Sequence, residues 1–269
     1  MKKIIIVFCT VFFVQFVKAQ LGPVRDSARA ELYRINQVFE HNMYLGFNMD
    51  ISYRADSANI TVETEQQSGN YVINKKNMYY NMGGTEYIQT DSFSYTIYAD
   101  NKTMIMGKNE VQPSNVLTPL NGFLDSLVDR HVSYYDVSMD TIQLDSADYI
   151  KRINFVFDTA YGTDTGLAIK YSSFNVAYDE GSHRPSKLSF SYWEDVPVYI
   201  SDTVFNGYIK ELKHVDINFS GYRAFTNTEI FNDIQYVIYN RQRKIYEPAD
   251  KYKNYQFITT GFENEEADN

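Results

Sequence analysis

From Gly69 to Met106 the sequence reads GNYVINKKNMYYNMGGTEYIQTDSFSYTIYADNKTMIM, with many apolar and polar residues alternating in twos between small polar turns. A period of two belongs to strands, whose successive side chains point to opposite faces. It predicts strands in GNYVINKK, NMYYNM, TEYIQT, FSYTIYAD and KTMIMGK, with turns at Ser68-Gly69, Gly83-Gly84 and Asp91-Ser92. Upstream, FNMDISYR sets Phe47, Met49, Ile51 and Tyr53 against Asn48, Asp50, Ser52 and Arg54, and it reads as a hairpin with ANITVETE. Downstream, YIKRINFVFD places Ile153, Phe155 and Phe157 on one face. SSFNVAYDEGSHRPSKLSFSYWE reads as a hairpin turning at Asp179, Gly181 and Pro185. KHVDINFSGYR, FNDIQYVIYNRQRKIY and NYQFITTGF complete the series. Such short spacings call for antiparallel meanders, because parallel strands need long crossovers.

Two stretches change period. In residues 26 to 44, Ala28, Leu32, Ile35, Phe39 and Met43 recur at steps of four, three, four and four, with Asp26 or Ser27 as a cap. Around Pro119, the residues Leu120, Phe123, Leu124, Leu127 and Val128 repeat the helical spacing. The predicted fold is mainly β with α: a single curved antiparallel sheet with helices covering its concave face. Two packed sheets of sandwich type are the alternative. One sheet face is expected to carry Phe47, Met49, Ile51, Tyr71, Ile73, Met78, Tyr80, Tyr95 and Ile97, covered partly by the first helix through Leu32, Ile35, Phe39 and Met43.

The first residues stand apart. MKK is a positive start, IIIVFCTVFFVQFV is apolar, and Ala19 offers a small residue for cleavage, so 1–19 reads as a secretory signal peptide. The remainder, 20–262, reads as a single β domain, and 263–269 as a frayed acidic tail. Loss of Lys2, Lys3 and Lys18 takes the formal charge from −9 to −12. That balance argues against nucleic acid and against electrostatic attachment to an anionic membrane. The one cysteine, Cys9, lies inside the signal segment, so the exported chain depends on its core and not on disulfides. No later apolar run is long enough to span a bilayer.

Candidate chemistry is sparse. His41, His131, His183 and His214 lack metal-ligand spacing, and no nucleophile elbow, zinc-protease motif or phosphate loop is present. Asp140, Asp145 and Asp148, and Asp158 with Asp164, could form calcium loops but read better as solvated turns. Asp129, Arg130 and His131 follow a predicted helix end, where a basic residue is explained by the helix dipole. The reading is a protein without catalytic residues, cofactor or metal. Six methionines, Met43, Met49, Met78, Met82, Met104 and Met106, tilt it toward an adaptable apolar cavity.

The succession over residues 26 to 110 resembles the LolA-like lipoprotein carrier family. It carries an amphipathic helix, a hairpin, a glycine-led strand into INKKNMYYN with Asn77 and the pair Met78-Tyr79, then the turn and aromatic strand of TDSFSYTIYAD. The resemblance implies an incomplete, half-open β barrel closed by helices, whose interior carries the acyl chains of a lipid or lipoprotein across the periplasm. It implies a cavity lined by Phe39, Met43, Phe47, Met49, Ile51, Tyr71, Ile73, Met78, Tyr80, Tyr95 and Ile97. The position of the family's lipid-handling arginine falls on Lys75, and its proline on Lys76. The expected partners are acyl chains and an envelope protein, and the expected location is the periplasm. The alternative is a non-enzymatic cell-envelope or secretion-related interaction module on the same fold.

Overall fold

The structure is a computed structural model that describes residues 24–39, 44–56, 64–73, 77–108, 135–143, 149–157, 172–201 and 204–262. Among the described residues one α-helix, α1, occupies 24–39. Strands follow as β1 (Leu45–Asp56), β2 (Thr64–Ile73), β3 (Met78–Met82), β4 (Thr85–Gln89), β5 (Phe93–Tyr98) and β6 (Thr103–Lys108). Then come β7 (Tyr135–Gln143), β8 (Tyr149–Phe157), β9 (Ser173–Tyr178), β10 (Pro185–Ser201) and β11 (Val204–Ala224). A C-terminal segment adds β12 (Val237–Asn240), β13 (Ile245–Pro248) and β14 (Gln256–Thr260), with short 3-10 turns at Thr228–Phe231, Asp233–Gln235 and Asp250–Tyr252. The hydrogen-bonded order is β14-β6-β5-β4-β3-β2-β1-β11-β10-β9-β8-β7, an open order ending in β14 and β7, and β12 and β13 pair separately.

One departure from an antiparallel sheet concerns β14, which runs parallel to β6 from Gln256 beside Thr103 to Thr260 beside Gly107. A hairpin cannot make that pairing. The chain makes it by returning after a long excursion, as parallel neighbours require. A second departure is at Ser68-Gly69, which lies inside β2 and is not a turn. A side chain at Gly69 would sit 2.6 Å from the carbonyl oxygen of Asn81, so the glycine permits close approach of β3. The turn at Gly83-Gly84 is as expected: both residues have positive φ, 57° and 80°, and they join Met82 to Thr85 in a two-residue hairpin.

The chain divides into two compact units. The first takes its residues from Met1–Val38, Ser52–Glu65 and Leu120–Ile217, and the second from Phe39–Ile51, Gln66–Pro119 and Asn218–Asn269.

In the first unit, β7 to β10 form a meander with aligned apolar rungs. Val137 faces Phe155, Phe155 faces Phe174 and Phe174 faces Phe190; beside them run Met139, Ile153, Val176 and Leu188. Ala28, Leu32 and Ile35 of α1 are buried, as their stripe requires. Arg25 Nη2 donates to the Tyr135 carbonyl at 3.0 Å, and His183 Nε2 lies 3.1 Å from Glu31 Oε2. Asp26 and Ser27 lie within the helix and do not cap it. The hairpin turns at Asp179 and Gly181 as expected, with the Asp179 carboxylate accepting from Ser182 N–H at 2.7 Å, whereas Pro185 already begins β10. Reading Asp140 as part of a solvated turn misses β7, in which Tyr135, Val137 and Met139 alternate with Asp136, Ser138 and Asp140 at strand period. Asp140 accepts from Arg152 Nε at 3.0 Å, an ion pair across β7 and β8. The second predicted helix, near 119–128, lies outside the described residues, as do Asp145, Asp148, Asp158 and Asp164.

In the second unit both sheet faces are buried, not one. Cross-strand partners share a face, so the register assigns each side chain. Tyr71, Tyr80 and Tyr87 lie on one face with Ile73 and Met78; Tyr79, Ile88, Tyr95 and Met106 lie on the other, with Ile97 and Met104. The second face is packed by the C-terminal segment, in a cluster that joins Ile88, Tyr95, Ile97, Met104 and Met106 to Tyr236, Val237 and Tyr252.

Candidate functional site

The expected apolar set is therefore split by register. Tyr71, Ile73, Met78 and Tyr80 share a face, and Phe47 joins them by stacking on Tyr71. Met49 and Ile51 follow Phe47 at steps of two along β1 and so keep its face; Met49 is buried and Ile51 half-buried. Tyr95 and Ile97 belong to the opposite face. Period-two counting within each strand is right, but the turn after β4 resets which face each residue takes. Met43 and Lys75 lie outside the described residues.

The shared face carries a row of stacked rings. Phe47 to Tyr71 is 5.6 Å between centroids at 9°, Tyr71 to Tyr80 is 5.4 Å at 30°, and Tyr80 to Tyr87 is 5.2 Å at 16°. Phe39 of α1 meets the edge of Phe47 at 5.8 Å, and Phe219 and Tyr222 of β11 close on it from 5.8 and 5.6 Å. Phe219 and Tyr222 are three apart, so strict alternation would send them to opposite faces. Gly221, at φ 61°, breaks that alternation and lets both rings reach Phe47. The row is graded: Phe47 and Tyr71 are buried, whereas Tyr80 and Tyr87 are half-buried. Burial raises the phenol pKa of Tyr71, Tyr80 and Tyr87 above its ordinary value, so the row is uncharged at neutral pH. Tyr87 donates to Gln89 Oε1 at 3.3 Å, a polar end beside the aromatic face. The chemistry available here is apolar contact and ring stacking, with few polar groups.

The opposite face is held by a polar lock. Tyr95 OH donates to Asp233 Oδ1 at 2.9 Å, and Thr90 Oγ1 donates to the same oxygen at 2.8 Å. Both donors belong to buried residues. Asp233→Ala would strand the Tyr95 hydroxyl, while Thr90 Oγ1 keeps the Phe93 carbonyl at 3.2 Å, and we expect a loss of about 1–3 kcal/mol in unfolding free energy by urea titration. Asp233→Asn, which keeps an acceptor oxygen, should recover most of it. Equal stability of the alanine variant and the parent would contradict the lock.

In the first unit, Ser191, His214 and Asp56 form a chain that the sequence reading missed, since the three residues are far apart along it. Ser191 Oγ is 2.8 Å from His214 Nδ1, and His214 Nε2 is 2.7 Å from Asp56 Oδ2. The hydrogen bond from His214 holds the Asp56 carboxyl below the usual carboxylate range. The chain crosses β10, β11 and β1, and next to it Asp216 binds Ser189 and, at 3.1 Å, Lys187. Burial works to raise the Asp216 carboxyl pKa, but its bonds to Ser189 and Lys187 outweigh that and lower it. Ser191 is in mid-strand, and its carbonyl accepts from Ser172 N–H at 2.8 Å. Together these rungs form a polar ladder that fixes the register of three strands.

An open cavity of about 430 Å³ in the first unit is lined by Val24, Ser27, Val137, Ser138 and Met139, none of them in the expected lining set. Among the described residues, no group of three or more His, Cys, Asp or Glu side chains is placed to hold a metal ion. No described helix is long and apolar enough to cross a membrane.

No protein-family model matches the chain. No curated protein matches it either. Solved structures do. An uncharacterized conserved protein from Thermus thermophilus is similar at 9% identity and TM-score 0.39, over 87% of this chain and 99% of that one. A LolA superfamily protein from Nitrosomonas europaea is similar at 11% identity and TM-score 0.28, over 77% and 98%. A DUF1329 family protein from Desulfovibrio piger is similar at 10% identity and TM-score 0.30, over 84% and 99%. The structural neighbours thus include a LolA superfamily protein, at a loose level of likeness.

Proposed function

We propose that the chain is an exported, non-enzymatic, carrier-like protein of the periplasm that holds an acyl chain of a lipid or lipoprotein against the row Phe47–Tyr71–Tyr80–Tyr87. The observation that supports this is the grading of the row, from rings sealed in the core to half-buried rings on the same face. An extended acyl chain lying along such rings gains about 0.8 kcal/mol per buried methylene. Met49, Ile51, Ile73 and Met78 widen the apolar strip, and Phe39 and Met43 would add to it beside Phe47. Lys75, two residues past the end of β2, would supply an ammonium for a lipid headgroup. Residues 1–19 would serve as the export signal.

The second reading, an interaction module, draws support from the face that bears Tyr95 and Ile97. The chain fills that face with its own C-terminal segment. The two readings differ in a fluorescent fatty-acyl probe titration of protein stripped of native lipid. The carrier reading expects saturable binding, weakened about tenfold or more by Tyr80→Lys or Tyr87→Lys, each removing roughly 1.5–3 kcal/mol of apolar contact. Absence of binding by the unmodified protein would overturn it. Ile97→Trp is the packing control: in the filled cluster it should strain the fold by about 1–3 kcal/mol and leave the probe affinity of the folded fraction unchanged.

A further inference from the structure

The sheet order ends in β14 at one side and β7 at the other, and the two edges differ. β7 carries Asp136 and Asp140, and its Tyr135 carbonyl accepts from Arg25. Charge and cover of this kind keep an edge from pairing with another chain. β14 reads QFITT, without charge or proline and rich in β-branched residues. Gln256 N–H donates to the Lys102 carbonyl at 2.7 Å. In a parallel pair every second residue turns its backbone toward the neighbour, so Gln256, Ile258 and Thr260 bond β6. Phe257 and Thr259 therefore present their N–H and C=O groups outward. Among the described residues nothing bonds those groups.

We propose that β14 pairs antiparallel with β14 of a second copy, about a two-fold axis at Ile258. The outward residues sit symmetrically, one on each side of Ile258. The axis sets Phe257 opposite Thr259 of the second copy and Thr259 opposite its Phe257, each a pair that exchanges both hydrogen bonds. Ile258 meets Ile258 between them, and Gln256 meets Thr260. A strand that pairs with itself brings any charge near the axis against a like charge, which is destabilising. This strand has none, although the chain carries a formal net charge of −9. The register thus closes on itself, which selects a second copy over an unrelated extended segment. An isologous contact also consumes both open edges and so stops at two copies. Ile258, 37% exposed, lies on the rung of Tyr80, Tyr87, Thr96 and Ile105, and the axis would set two such rungs end to end. The pairing does not rest on the acyl-chain reading, and its test uses no ligand, so either proposal can fail alone.

The test uses protein purified after export. In sedimentation velocity the parent should shift from the mass of one copy to that of two as concentration rises. Ile258→Lys should abolish the shift, and so should Ile258→Glu. An equal mixture of the two variants should restore it, since opposite charges then meet at the axis. Melting of each variant at low concentration should match the parent, as the substituted side chain stands at the exposed edge. Ile258→Cys in a Cys9→Ser background leaves a single cysteine. At the axis the two Cα atoms would lie about 4.5 Å apart, within the disulfide range of about 4.4–6.8 Å. Mild oxidation should therefore give covalent dimers on non-reducing gels. Gln256→Cys in the same background should not, because its two copies would lie roughly 13 Å apart along the strands. A parent that stays monomeric at every concentration would overturn the proposal, including one whose edge binds an extended peptide instead. So would a dimer that Ile258→Lys leaves intact, or equal oxidation of the two cysteine variants.

Discussion

Replacing Phe47 with alanine is expected to lower the unfolding free energy by about 3–5 kcal/mol, the range for deleting a buried phenylalanine ring. Phe47 has no exposed surface and meets rings from α1, β2 and β11: Phe39, Tyr71, Phe219 and Tyr222. With so many rigid neighbours the cavity cannot collapse, which places the cost toward the top of that range. Tyr87→Ala, at the half-buried end of the same row, should cost distinctly less. Guanidinium titration of both variants checks the grading. A loss below about 1 kcal/mol for Phe47→Ala would mean that the rings rearrange freely, contrary to close packing.

Ile35→Ala should destabilise the protein by about 2–5 kcal/mol. Alanine is the better helix former, so any loss measures packing and not propensity. Ile35 is wholly buried on the stripe that also carries Ala28 and Leu32, whereas Tyr33 on the same helix is exposed. Tyr33→Ala should therefore change stability by less than about 0.5 kcal/mol. Similar melting curves for the two variants would detach α1 from the core.

Much of the β architecture was legible because its turns are short and carry their own chemistry. Gly83-Gly84 marks a two-residue hairpin, and counting outward from it pairs Tyr80 with Tyr87. The phase of Tyr95 and Ile97 was not legible. Alternation identifies a core face only when the other face is polar. In β4 both Ile88 and Gln89 are buried, so neighbouring positions on opposite faces carry the same signal. A wet face was assumed where the C-terminal segment packs, and nothing local in TEYIQT or FSYTIYAD announces that cover. Gly69 reads as punctuation because a glycine beside a serine resembles a turn, but its reason lies in the approach of Asn81 from another strand. The aromatic row was half visible: Tyr71 and Tyr80 were placed together, while Tyr87 was missed and Tyr222 depended on the irregularity at Gly221. The polar ladder through His214 joins residues separated by 23 and 158 positions, beyond the reach of any motif.

The cover over Ile88, Tyr95, Met104 and Met106 is supplied by Tyr236, Val237 and Tyr252, near the other end of the chain. A ribosome delivers residues in order at roughly 5–20 per second, so Met106 leads Tyr252 by roughly 7–30 s. Throughout that interval the first half of the unit can pair its strands but cannot close its larger apolar face. The newborn chain therefore has a built-in waiting period with a sticky surface, in which a holding chaperone would find its best target. A chain truncated before Tyr236 should remain bound to one.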